Sequence, residues 1–276
     1  MKRILIVTLL LVAAGALIFA GGKKDAGREP GVRVIRVGTE GAYPPYNFVD
    51  ASGKADGYDI AVIRAVDELL PEYTFEFVPT AWDGIFVALE AGEFDLIASN
   101  LGWRQEREEK YWLSTVPYLW GTGNTIVFKG GRTDIKSIED LNNKKVAAGV
   151  GTSTTTWLEQ YIARTGIKVE IVYTDGNIVS ALTEIDSGRV DATLASPITT
   201  QLTAEQLGFN IKSITIANDD PSHIHLLFPK TDTGKKLRDD IDVALQKLHD
   251  NGTLSSLSKK YFFGVDYTTK EVVQKK

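Results

Sequence analysis

The sequence contains no cysteine, a single methionine and three histidines among its 276 residues. The absence of cysteine excludes disulfides, thiol nucleophiles, iron–sulfur clusters and cysteine-ligated zinc. Because histidine is scarce too, we expect no transition-metal site and no cofactor. Basic residues are not in excess, since 31 Lys and Arg stand against 36 Asp and Glu. This balance excludes the basic surface typical of nucleic-acid-binding proteins.

A long hydrophobic run occurs at the start of the chain, over residues 4–20, behind a short basic segment. This pattern predicts a secretory signal peptide over residues 1–20, the alternative being a single membrane anchor. Residues 21–31 are polar and contain glycine and proline, which favours a flexible leader. Lipid attachment would need a cysteine where Gly21 stands. We therefore expect a secreted protein of the periplasm or another extracytoplasmic compartment.

The composition of the whole chain, 43% hydrophobic and 24% charged, is typical of a globular protein, and its length favours two domains. From residue 32 onward, β-branched runs alternate with amphipathic helical patterns, which predicts an α/β fold with mainly parallel sheets. Strands are predicted at 32–39, 74–78, 94–99, 145–149, 168–173 and 190–195, and helices at 58–70, 82–90, 154–164, 178–186, 234–249 and 253–262.

One sequence pattern occurs twice. A helical segment ends near Gly92 and a buried strand begins at Asp95, and the same order recurs at Gly188 and Asp191. The two copies are too far apart for a solenoid repeat. They predict two similar α/β lobes.

The strand-like segments 122–129 and 223–229 flank the second copy of this pattern. If both cross between lobes, lobe 1 comprises residues 32–122 plus 223–266 and lobe 2 residues 123–222, with a C-terminal tail over 267–276. Two crossing strands form a hinge, and the cleft between the lobes becomes the expected ligand site.

Several short motifs occur in order along residues 32–266. They are Glu40-Gly-Ala-Tyr-Pro-Pro-Tyr46, Gly57-Tyr-Asp59, Trp82-Asp-Gly84, Glu106-Arg107, Lys144-Lys-Val146, Gly151-Thr-Ser153, Gly188-Arg-Val-Asp191, Asn251-Gly-Thr253 and Tyr261-Phe-Phe-Gly264. Together they resemble the polar-amino-acid family of periplasmic solute-binding proteins of ABC importers (family 3 type), and look most like its cystine-binding branch. The resemblance implies the type II periplasmic-binding-protein fold, in which two α/β lobes joined by two crossing strands close on a ligand.

The resemblance also implies ligand-binding residues. Tyr43 and Trp82 match positions that sandwich the ligand side chain, and Arg107 matches the arginine that holds the α-carboxylate. A guanidinium donates two parallel hydrogen bonds to a carboxylate, which lysine cannot do. The loop before the 154–164 helix has free backbone N–H groups that favour an anion, and the resemblance implicates Thr152, Ser153 and Thr154 in binding the same carboxylate. Without the resemblance, core packing, a solvated helix face and ordinary helix capping are the alternatives.

The sequence departs from the family at the positions that hold the ligand α-ammonium. Gly102 stands where the family has threonine or serine, and Ser196 stands where it has aspartate. Ser99 and Asn100 occupy further family contact positions. Either another acid replaces the aspartate or the ligand has no free α-ammonium; the candidate acids are Glu40, Asp219 and Asp220.

Three other residues near these motifs carry weaker signals. Tyr46 follows Pro44-Pro45, and we expect it to turn into the core. His223 and His225 could share one strand face, but no third ligand is indicated, so a hydrogen-bonding role is favoured over metal. We expect His225 to narrow the cleft.

We therefore predict a non-enzymatic binding protein that captures a polar, cystine-like amino acid or a related small carboxylate and delivers it to the membrane permease of an ABC importer. We expect a monomer with no nucleic-acid partner. One alternative is an enzyme on the same fold, such as a cyclohexadienyl-dehydratase-like lyase, although only Glu40 offers a general acid. The other is a sensory protein that presents a ligand to a receptor.

Overall fold

The structure is a computed structural model that describes residues 31–121, 124–216 and 223–269. The predicted signal peptide, residues 21–30 of the predicted leader, and the candidate acids Asp219 and Asp220 lie outside the described residues. From Arg33 onward the described residues cluster as one compact unit.

Fourteen strands and eight α-helices follow one another along this unit. The first are β1 (Arg33–Thr39), β2 (Ala42–Tyr43), β3 (Asn47–Val49), β4 (Ala55–Asp56), α1 (Tyr58–Asp67), β5 (Tyr73–Pro79), α2 (Trp82–Glu90), β6 (Leu96–Gly102), α3 (Gln105–Lys110), β7 (Tyr111–Leu113) and β8 (Leu119–Trp120). Then come β9 (Thr125–Lys129), a 3-10 helix (Ile138–Leu141), β10 (Lys144–Gly149), α4 (Ser153–Thr165), β11 (Val169–Thr174), α5 (Ile178–Asp186), β12 (Ala192–Ala195), α6 (Pro197–Leu207) and β13 (Ile211–Thr215). The last are β14 (His223–Pro229), α7 (Asp232–Asp250) and α8 (Thr253–Tyr261).

The first lobe is built on a sheet with the order β5-β1-β6-β14-β7, in which β8 also pairs with β14. Strands β5, β1 and β6 are parallel, whereas β14 runs antiparallel to β6. Helices α1, α7 and α8 pack on one face of this sheet and α2 packs on the other. Because both faces are covered, β6 is buried along almost its whole length.

The second lobe has the order β11-β10-β12-β9-β13, with β9 antiparallel to both of its neighbours. One face packs against a cluster that includes Leu158 of α4, and α5 and α6 cover the other. The predicted fold class, a type II binding-protein fold of two α/β lobes, is confirmed. Tyr267 is buried in the core of the first lobe.

The repeated sequence pattern has the same hydrogen bonding in both lobes. Gly92 and Gly188 have φ of 74° and 75°, the left-handed conformation that ends a helix and favours glycine. A carboxylate oxygen of Asp95 accepts from the backbone N–H of Arg36 on β1 over 2.9 Å. A carboxylate oxygen of Asp191 accepts from the backbone N–H of Lys145 on β10 over 2.8 Å. The repeat thus joins each helix–strand unit to the strand beside it.

Two predicted helices, Trp82–Glu90 and Ile178–Asp186, have the predicted ends. The segment Pro197–Leu207, for which no helix was predicted, forms α6. Among the described residues, no helix has the length and apolar character needed to cross a membrane.

Candidate functional site

A cavity of about 650 Å³ opens where strands β1, β6, β10 and β12 end, and both lobes line it. Open α/β sheets bind ligands at this edge. All eleven residues predicted to contact a ligand line the cavity: Glu40, Tyr43, Trp82, Ser99, Asn100, Gly102, Arg107, Thr152, Ser153, Thr154 and Ser196. Their roles in binding stay predictions.

Two aromatic side chains of the first lobe form part of the wall. Tyr43 stacks on Tyr46, with ring centroids 5.3 Å apart. The indole N–H of Trp82 donates to the carbonyl oxygen of Val150 in the second lobe over 2.9 Å. Gly176 lies so close that a Cβ there would be 2.6 Å from Cδ1 of Trp82. The lobes therefore meet tightly at Trp82.

Tyr46 packs in the core of the first lobe and also borders the cavity. It is buried in the core of the first lobe, as expected from the two prolines before it. It also lines the cavity, and its hydroxyl lies 3.2 Å from the hydroxyl of Ser196 in the second lobe. Tyr46 is therefore a further contact between the lobes.

Arg107 is a buried cation, only 5% exposed, at the junction of the lobes. Its Nη1 donates to the carbonyl of Gly102 over 2.7 Å and to the hydroxyl of Ser153 over 3.3 Å, and its Nη2 donates to the carbonyl of Gly151 over 3.0 Å. Within the described part of the chain, no carboxylate forms an ion pair with it. Burial is the main cause that lowers its pKa, to about 9. Such a site favours an incoming anion.

The loop that faces Arg107 belongs to the second lobe and begins α4. Thr152 caps this helix, because its hydroxyl accepts from the backbone N–H of Thr155 over 3.1 Å. The same hydroxyl lies 3.0 Å from that of Thr154. The N–H groups of Ser153 and Thr154 are in the first turn, where no intrahelical acceptor exists. The loop and Arg107 therefore contact each other at one wall of the cavity, where both carry hydrogen-bond donors.

Glu40 follows β1 and is a carboxyl group held largely away from water. Its backbone N–H donates to the hydroxyl of Ser99 over 3.1 Å. Burial, with a smaller contribution from the charge of Asp175, raises the pKa of Glu40 to about 7. Among the described residues, no cation forms an ion pair with it. A ligand cation would relieve this cost.

Asn100 supplies a second acceptor in the cavity. Its φ of 48° is in the left-handed region, which a residue other than glycine adopts rarely. Asp59, fully buried, fixes this conformation by accepting from the backbone N–H of Asn100 over 2.9 Å. The Asn100 Oδ1 atom is buried and has no hydrogen-bond partner among the described residues. A buried acceptor of this kind favours a ligand that donates.

The histidine expectation was wrong in one respect. His223, rather than His225, lines the cavity among the described residues. His225 is 5% exposed, its Nδ1 lies 2.7 Å from the carbonyl of Ser114, and its Nε2 contacts Nδ1 of His223. Its other partner, Ser114, follows β7 and is not among the residues that line the cavity.

Sequence reasoning missed Arg104. Residues 104–110 are almost all charged, a pattern typical of a solvated surface. The Arg104 side chain is 18% exposed and lines the cavity. The available signal was its spacing of three residues from Arg107, which places the two side chains near each other on a helical segment.

The sequence matches the family model of bacterial extracellular solute-binding proteins, family 3, over residues 35–264. The chain belongs to this family. It is 30% identical over 261 residues to the L-cystine-binding protein TcyJ of Bacillus subtilis, with 94% of this chain and 95% of that protein covered. It is also 30% identical to TcyK, an L-cystine-binding protein of the same bacterium, with 97% and 95% covered. An ancestral arginine-binding protein bound to glutamine superposes with a TM-score of 0.74 at 30% identity, covering 85% of this chain and 99% of that chain.

Proposed function

We propose that this family 3 protein captures a polar α-amino acid between its lobes and delivers it to the permease of an ABC importer. The observation that carries the proposal is the buried Arg107, which faces the hydroxyl-rich loop of the second lobe. Its guanidinium and the first N–H groups of α4 would hold the α-carboxylate of the ligand. The cystine-binding relatives support an amino-acid ligand.

The α-ammonium would lie between Glu40 and Asn100. Glu40 supplies the negative charge that Ser196 lacks, and the Oδ1 atom of Asn100 supplies an acceptor. Both groups are on the first lobe, so the negative charge that neutralises the ammonium shifts from the second lobe to the first. This arrangement favours a zwitterionic ligand over one without an ammonium group.

Hinge closure would couple binding to transport. Three residues of the first lobe form hydrogen bonds to the second lobe: Trp82, Tyr46 and Arg107. A ligand that contacts both lobes adds to these bonds only in the closed state, so it shifts the population toward closure. The permease would then bind the closed surface.

We infer a binding role rather than catalysis, because the relatives reported above are named as binding proteins. We also propose a secreted monomer of the periplasm or another extracytoplasmic compartment. Two alternatives are a lyase and a sensory protein. Analysis of a bound ligand for conversion to product tests the first, and deletion of the permease tests the second.

The test is a titration of refolded protein with cystine, cysteine, glutamine, arginine and glutamate, followed by calorimetry and thermal unfolding. A ligand at 1,000 times its Kd stabilises the fold by about 4 kcal/mol. Arg107→Lys should weaken binding of the best amino acid by about 2–5 kcal/mol, because lysine cannot form the paired hydrogen bonds. The control is Arg64→Lys on the exposed side of α1, which should bind like the parent. Equal binding by Arg107→Lys would contradict the proposal.

A further inference from the structure

Arg104 places a second guanidinium beside that of Arg107. It is the residue that precedes α3, and its Nη1 donates to the carbonyl oxygen of Gly151 over 2.8 Å. Nη2 of Arg107 donates to the same oxygen over 3.0 Å. Because both nitrogen atoms bond to one oxygen, the distance between them is at most the sum of these two distances.

Two like charges this close repel each other when they are shielded from water. Burial is the first cause of the lowered pKa of Arg107, and the charge of Arg104 is the second. Glu106 offsets part of this charge, because its Oε2 lies 3.4 Å from Nε of Arg104. The Glu106 side chain is 59% exposed, however, and solvent weakens an ion pair at such a position.

Arg104 also has an unused donor. Its Nε is buried and forms no hydrogen bond among the described residues, although it forms an ion pair with Oε2 of Glu106 at 3.4 Å. A buried donor without an acceptor is costly. Because Nη1 donates to Gly151, a planar acid group would bind side-on at the edge formed by Nε and Nη2, in competition with the exposed carboxylate of Glu106.

We propose that Arg104 is a second anion-binding residue and that the ligand carries an acidic group in addition to its α-carboxylate. The inference rests on the proposed function, since it assumes that Arg107 holds the α-carboxylate. The cavity of about 650 Å³ is lined by both arginines, so one ligand reaches both. The expected class is an α-amino acid with a second carboxylate.

The experiment compares ligands that differ only by an acid or an amide: glutamate with glutamine, aspartate with asparagine, and S-carboxymethylcysteine with S-carbamidomethylcysteine. Calorimetric titration gives the ratio of their affinities for the parent and for the variants Arg104→Gln, Arg104→Lys and Arg64→Gln. The ratio is the readout because Arg104→Gln also removes a bond between the lobes. That loss weakens closure around both members of a pair equally.

In the parent, the acid member of at least one pair should bind at least tenfold more tightly than its amide. Arg104→Gln should reduce this preference at least tenfold, and Arg104→Lys, which keeps the charge without the paired geometry, should give an intermediate value. Arg64→Gln should retain the parent ratio. Far-ultraviolet circular dichroism confirms that each variant is folded. Should Arg104→Gln fail to fold, Arg104→Lys alone still tests the preference.

The proposal is overturned if amides bind as tightly as acids, or if the preference survives in Arg104→Gln; Arg104 is then only a contact between lobes. In that case, the proposed function still stands if neutral amino acids bind to the parent and this binding is lost in Arg107→Lys. If no amino acid binds at millimolar concentration, the proposed function and this inference both fail.

Discussion

Glu40 and Asp59 are carboxyl groups of the first lobe, the former half-buried and the latter fully buried, and their surroundings differ. Asp59 accepts hydrogen bonds from the side chains of Asn47 and Tyr118 and from the backbone of Asn100, each over 2.9 Å. Glu40 lines the cavity and forms no ion pair among the described residues. Asp59 therefore maintains the shape of the site, whereas Glu40 is available to a ligand.

Glu40→Gln should change stability and binding in opposite directions. The pKa of Glu40 is raised from 4.5 to about 7, so the folded state binds its proton more tightly than the unfolded state. Stability is therefore lost as pH rises from about 4.5 to about 7. The variant avoids this loss and should be more stable than the parent at pH 8, by about 2 kcal/mol once solvent screening of the half-buried Glu40 is allowed for. Its affinity for amino acids should fall, because an amide cannot neutralise an ammonium.

Denaturant unfolding of the ligand-free protein at pH 4.5 and pH 8 measures the first effect, and titration measures the second. In the parent, affinity should rise with pH through about 7 as Glu40 ionises. Asp175→Asn removes the smaller cause of the raised pKa and should move this rise to lower pH. A parent whose affinity is independent of pH would contradict a role for Glu40.

At the scale of single elements, the repeated glycines permit a test of helix termination. Gly92 and Gly188 have open space where a Cβ would be placed, so alanine there meets only the strain of the left-handed backbone. Each substitution should cost about 1–2 kcal/mol. Gly84, inside α2 and equally free of contacts, has no positive φ. Alanine there should instead stabilise, by about 0.5 kcal/mol.

Scanning calorimetry of the three variants gives the sign of each change. A fall in the unfolding temperature for Gly92→Ala and Gly188→Ala, with a rise for Gly84→Ala, is expected. A fall for all three would show that steric contact of the added methyl group, rather than backbone conformation, determines the change in stability at these positions.

Elements with an apolar stripe were predictable, and those with polar buried faces were not. Helices α2 and α5 bury apolar residues at helical spacing and end at glycine, so their bounds follow from the pattern. Helix α6 buries Thr199, Thr200 and Thr203, which no apolar period reveals. In the site, the family resemblance located eleven of the lining residues, but the burial of Arg104 and the left-handed conformation of Asn100 depend on tertiary contacts.

At the scale of the whole molecule, closure depends on space between the lobes. Gly176 of the second lobe admits the Trp82 ring, and a methyl group there would meet Cδ1 at 2.6 Å. Gly176→Ala should hold the lobes apart and weaken binding of the best amino acid at least tenfold, which is about 1.4 kcal/mol. Small-angle scattering with ligand should show a larger radius of gyration than the parent.

Gly166→Ala is the matched control. Gly166 also lies in the second lobe, with φ of 73° against 85° at Gly176, but has open space around its Cβ position. Both substitutions strain the backbone, so both should lower the unfolding temperature. If Gly166→Ala weakens binding as much as Gly176→Ala, backbone strain rather than contact between the lobes is responsible.

Strand β14 lies between β6 and β7 in the first sheet, yet the whole second sheet is encoded before it. During synthesis, β9 to β13 are complete while the first sheet still lacks an inner strand. Because domains tend to fold as their chain emerges, the lobe that begins second can be finished first. Until then, strands β6 and β7 lack the strand that pairs with an edge of each of them. The two lobes are thus completed in the reverse of the order in which they begin along the chain.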